Sequence, residues 1–264
     1  RGRHGKAGPV PLKPRSFGRS PQRLMRRPEW YRRTTWSAAD AVDFAARLQR
    51  ARPHKRDQYL HIQALHLAEA GTEPLLRAAL DLLGQLLAEY PDSIQRAPAF
   101  HQQARCLIAL GEHEAAIAAF RQSIEAQRQL PSVRTDAFRD FGEFVVASGR
   151  RDLYDEVLAL QEEFGGDEVW PAHRYQIAAT RALIAAERGD PEEARRCAAR
   201  ALQAAAATES PFRYHRTLGL VRDTDPAVLA RLRALAAEHG AAVDAGPAMR
   251  SPQVEGSVQP APRH

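Results

Sequence analysis

The residues of this chain best suited to hold a metal or move a proton are its ten histidines and two cysteines. Their spacing builds no recognisable site. His61 and His66 are five apart, which sets them on different sides of a helix, and His113 and His173 fall in or near turns. There is no His-Glu-x-x-His and no pair of cysteines at ligand spacing. No GxxxxGK[ST] or GxGxxG loop offers backbone amides to a phosphate, and Thr217-Leu218-Gly219 lacks the pattern of a nucleophile elbow. Glu162-Glu163 and Glu192-Glu193 read as solvated helix ends rather than an acid/base couple. The expectation is a chain that is not an enzyme and takes no cofactor or metal. The alternative is an enzyme whose site is assembled from residues far apart in sequence.

The elements that would position any other chemistry are helices. Phe100 to Gln127 reads as two amphipathic helices, with Phe100, Ala104, Leu107 and Ile108 on one face of the first. Ala116, Ile117, Phe120 and Ile124 share a face of the second, and Gly111 stops the helix before it. Gly71, Gly111, Gly149 and Gly189 recur at spacings of 40, 38 and 40 residues. Seven residues before them stand Ala64, Ala104, Gly142 and Ala182, and four before them Leu67, Leu107, Val145 and Ala185. Ala116 and Phe120, Tyr154 and Leu158, and Ala194 and Ala198 follow at fixed distances; Ala79 and Leu83 take those places in the first unit. A hairpin of this kind leaves an apolar face that only stacked neighbours bury.

Phe100, Ala104, Leu107, Gly111, Ala116, Phe120 and Ser123 stand where the tetratricopeptide repeat family places its bulky, small and turn residues. Ala182, Gly189, Ala194 and Ala201 repeat part of the pattern, and the resemblance covers roughly 56–208. Tyr154 departs from it, at a place where the family has a small residue. The resemblance implies an all-α fold, an α-solenoid of about four helix-turn-helix repeats with capping helices. The repeats are expected at 57–92, 97–130, 135–164 and 172–207.

Function is then expected on the groove lined by the first helix of each repeat. By register the residues not used in packing there are His61, Leu65, His101, Gln102, Arg105, Arg139, Asp140, Glu143, Gln176 and Thr180. This mixed polar set suits a peptide or protein partner carrying both charge signs. Chaperone-binding members of the family use groove lysines and asparagines to clamp a carboxylate terminus; those residues are absent from these positions.

The expected domains are a basic, disordered leader at 1–36, a repeat domain at 37–239 and a disordered tail at 240–264. The net charge is +6, but residues 1–36 hold eleven Arg and Lys against the single acid Glu29, so the rest of the chain is mildly acidic. Such a leader suggests a second function class, weak sequence-independent nucleic-acid binding through phosphates. Trp30, Tyr31 and Trp36 are expected to dock it onto the first helices. Ser37 with Asp40 marks a helix start, and Asp225-Pro226 starts a last helix that caps the stack. No apolar run reaches the ~20 residues of a membrane span. Two cysteines form no disulfide framework, so a reducing cytoplasmic setting is the default. Lys6, Lys13 and Lys55 are the only lysines among 38 basic residues, and this arginine bias, with abundant alanine, fits a GC-rich bacterial coding sequence.

Overall fold

The computed structural model describes residues 29–166, 168–222 and 224–237. The leader before residue 29 and the tail expected at 240–264 lie outside the described residues. Among those described there are ten α-helices and no strand. They are α1 (Ala38–Arg50), α2 (Arg56–Ala70), α3 (Glu73–Glu89), α4 (Arg96–Ala109) and α5 (His113–Gln129), followed by α6 (Ala137–Ala147), α7 (Tyr154–Phe164), α8 (Pro171–Arg188), α9 (Pro191–Ala205) and α10 (Pro226–Ala237).

The helix ends follow local chemistry. Ser37 and Asp40 form a reciprocal capping box on α1. The four repeat glycines all adopt positive φ, between 65° and 77°, so each hairpin turns through the left-handed region at its glycine. Behind three of them the chain closes back on the preceding helix: the amides of Glu112, Arg150 and Asp190 donate to the carbonyls of Leu107, Val145 and Ala185. Asp190 accepts from the Glu193 amide and Pro191 opens α9, as its sequence requires.

Helices pair in order, α2 with α3, α4 with α5, α6 with α7 and α8 with α9, and each hairpin packs on the next. This is the expected α-solenoid. Leu60, Ala64, Leu67, Ala79 and Leu83 are fully buried in the first repeat, and Ala104, Ala116 and Phe120 in the second. Tyr154, which breaks the small-residue pattern, is accommodated: its ring is buried and its hydroxyl donates to Glu187 Oε2 at 2.7 Å. Gly142 explains itself by contact, because a Cβ there would come within 3.1 Å of Thr180 Cγ2 and 3.2 Å of Val157 Cγ1. Ion pairs staple successive repeats one period apart. Arg121 pairs with Glu156 at 2.6 Å and Arg128 with Glu163 at 2.7 Å, joining α5 to α7.

Both ends are capped. Residues 29–36 pack onto α1 and α2: Trp30 lies 5.2 Å from the Phe44 ring and 5.0 Å from that of Tyr59. The buried amide of Gln63 binds the Arg33 backbone on both sides, at 2.8 and 3.0 Å. The tryptophans thus dock the chain on the first helices, as expected. At the other end Leu232 of α10 is fully buried, with Val228 and Leu235 against the same cluster.

Candidate functional site

The first helices α2, α4, α6 and α8 lie side by side, and their facing residues show it. His61 Nδ1 on α2 is 2.8 Å from Oε1 of Gln95, the residue capping α4. His101 Nε2 on α4 is 2.8 Å from Asp140 Oδ2 on α6. Gly142 of α6 meets Thr180 of α8. The structure therefore brings the sequence-selected residues onto one surface, but three of them are not available on it.

Arg139 was expected to be exposed and is only 5% exposed. Its guanidinium pairs with Asp136 and, at 2.7 Å, with Glu168, and it lies 4.7 Å from the Phe138 ring. His173 Nδ1 adds to this network at 3.0 Å from Glu168 Oε2. Arg139 therefore links α6 to the strap before α8, and the repeat register could not show a partner 29 residues away. Thr180 is 2% exposed because Gly142 lets α6 press on it. Gln102 is buried as well; it lies near enough to His61 to favour the charged ring, yet its amide atoms reach no hydrogen-bond partner among the described residues.

The remaining positions reach the surface. Leu65 and Arg105 are exposed, and His61, His101, Asp140 and Gln176 are half-buried. Glu143 keeps part of its surface in water, but protein atoms crowd its carboxyl. That burial, with the charge of Asp140, holds its pKa above the usual carboxylate range, and Gln176 opposes the shift. Burial pushes the His61 pKa below the ordinary imidazole value, with Gln95 and Gln102 opposing.

At the α6–α8 end this surface deepens into a cavity of about 590 Å³. Glu143, Gln176 and Tyr175 supply polar groups, while Val146, Leu183 and Val228 supply an apolar wall. Its far side is made by Leu220, Val221, Arg222, Thr224 and Asp225, which the groove register does not include. This segment is held where it is by Gly219. Its carbonyl accepts from the Ala172 amide at 2.9 Å, and a Cβ on it would strike the Trp170 ring at 1.9 Å. The available signal was that glycine, in a stretch the sequence reads as irregular.

Two free cysteines, Cys106 and Cys197, are buried, and burial pushes both thiols up, Cys106 to about 11. Among the described residues no group of three His, Cys, Asp or Glu side chains gathers where a metal could sit. No described helix is long and apolar enough to cross a membrane.

With four hairpins in one register, the tetratricopeptide repeat family model matches residues 97–130, the α4–α5 pair. The chain is a tetratricopeptide-like repeat protein. No curated protein and no solved structure matches it. The matched hairpin is the one whose glycine, alanines and Phe120 keep the family pattern most fully. A tetratricopeptide repeat suggests a protein-interaction module.

Proposed function

We propose that this tetratricopeptide-like stack is a non-catalytic protein-interaction module, acting in a reducing cytoplasm, that holds a peptide along α2, α4, α6 and α8. The observation that carries the reading is the run of unlike groups along one surface: exposed Leu65, exposed Arg105, the His101–Asp140 pair, then Glu143 at the mouth of the 590 Å³ cavity. A peptide there would place an acidic residue on Arg105, a basic one near Asp140 and Glu143, and an apolar side chain in the cavity. Arg105 is the better anchor, because it is exposed and has no ion-pair partner among the described residues, and a guanidinium forks onto a carboxylate. Arg139 is withdrawn from that role by its burial.

Selection of binders from a random-peptide display library on the intact chain tests this. Selected peptides should carry both charge signs around an apolar residue. Their affinity should fall by about tenfold when Arg105→Glu and Glu143→Lys are introduced together, with the circular dichroism unchanged. Peptides that bind the double variant as tightly would place the working surface elsewhere.

A further inference from the structure

A second recess lies on the other side of α8, away from the peptide surface. Its volume is about 750 Å³. Arg174 and Arg181 project into it from α8, seven residues apart and hence two turns along one side, and Arg200 enters from α9. Ile177 and Ala204 form the apolar floor between them.

Three guanidiniums in one recess repel each other unless acids compensate. Among the described residues the compensation is poor. Arg174 and Arg200 have no acidic partner there, and Arg181 has only Glu162, at 3.7 Å on an exposed edge. Glu168 lines the recess too, but its carboxylate already serves Arg139 at 2.7 Å and His173 at 3.0 Å. Two of the three recess arginines, Arg181 and Arg200, act on one thiol. Arg181, Arg200 and Arg196 all pull Cys197 toward ionisation, against the burial that prevails.

We infer that the recess between α8 and α9 is a binding site for the phosphoryl group of a small ligand, held by Arg174, Arg181 and Arg200. A carboxylate brings one charge and two oxygens, fewer of each than three guanidiniums can use. A phosphoryl group brings about −1.5 to −2 charge near neutral pH and three acceptor oxygens, one for each guanidinium. Arginine's planar fork makes two parallel bonds to such oxygens, where an ammonium would act as a point charge. The apolar floor strengthens these charge-assisted bonds by excluding water beneath them.

Isothermal titration of the full chain with inorganic pyrophosphate, at fixed ionic strength, tests the assignment. Saturable one-to-one binding is expected. Arg174→Gln with Arg200→Gln should weaken it by roughly a hundredfold, about tenfold for each guanidinium removed. These side chains reach into an open recess, so the double variant should keep its circular dichroism and melting temperature; if it does not, Arg200→Lys, which keeps the charge and loses the fork, replaces it and should cost about tenfold. Absence of pyrophosphate binding by the native chain would overturn the inference, as would undiminished binding by the variant. Citrate, titrated alongside, should bind at least tenfold more weakly; equal binding would overturn the phosphoryl assignment.

Discussion

The front and back of this molecule are built from different residues to the same plan. In the front cluster large side chains predominate, Phe44, Leu60, Leu67, Leu76, Leu82, Leu83 and Leu86, with Trp30, Tyr31, Trp36 and Tyr59 packed against them and Ala64, Ala78, Ala79 and Ala99 between. In the back cluster Ala178, Ala179, Ala182, Ala198, Ala201 and Ala204 predominate, with Tyr175 and Leu232 as the bulky members. Yet α8 and α9 make the most extensive helix pairing among the described residues. The alanines that predominate there allow the two backbones to approach, and the pairing gains by closeness what it lacks in side-chain area. The front relies on apolar area removed from water. The two ends should therefore fail in opposite ways, the front by losing volume and the back by gaining it.

The largest effect should come from emptying the front. Leu83 is fully buried, and Leu83→Ala removes its methyl groups and leaves a cavity, at about 2–5 kcal/mol. Chemical denaturation measures it. A loss under 1 kcal/mol would mean the front collapses freely and the contrast with the back is false.

Filling the back comes next. Ala198 of α9 is fully buried in the alanine cluster, so Ala198→Leu should over-pack the α8–α9 contact by about 1–3 kcal/mol. The difference between the ends is then sharpest in the reciprocal pair: small-to-large harms the back and large-to-small harms the front. An Ala198→Leu variant that melts at the native temperature would show that the back has room.

A smaller effect separates polar from apolar support at the back. Glu187 on α8 accepts the Tyr154 hydroxyl and also pairs with Arg151 of the turn before α7, at 3.0 Å, and Arg231 of α10, at 3.6 Å. The Tyr154 bond is the chief reason its pKa lies below the usual glutamate range. A depressed carboxyl stabilises the fold above the unfolded pKa and loses that contribution as pH falls through the folded value. Burial first, and then Glu187, push the Tyr154 phenol up to about 12. That contribution is complete below the unfolded value of about 10 and is lost as pH rises toward 12. Tyr154→Phe should cost about 1 kcal/mol at neutral pH. It should also make stability less pH-dependent at both extremes, as read from melting temperatures across pH. Unchanged acid and alkaline limbs would mean that Glu187 and Tyr154 do not stabilise the back.

The proposed peptide surface and the proposed phosphoryl recess differed in how far they could be seen from the chain. Repeat register selected His61, Leu65, His101, Arg105, Asp140, Glu143 and Gln176, which do line or reach the first-helix surface. The same register admitted Gln102, Arg139 and Thr180, which are buried. Periodicity assigns a residue to a side of its own helix; burial depends on what the next element brings. It could not point to Arg174 and Arg200 as a pair, because their nearness depends on how closely α8 and α9 pack.

What the sequence by itself determined is local: where each hairpin turns, because glycine reaches positive φ without strain; where α1 and α9 begin, because Ser37 and Asp190 satisfy free amides; and which small residues recur to let helices touch. The turns and caps need only neighbours within a few residues along the chain, and the small residues show in the repeat spacing. Tertiary structure alone decided that Glu168 would bury Arg139, that Trp170 would leave space only for a glycine at 219, and that the returning segment 220–225 would close a cavity against α6 and α8. Each of those outcomes joins groups 29 or more residues apart. The energy of such a contact exists only once the intervening helices have packed, so no local pattern in the chain records it.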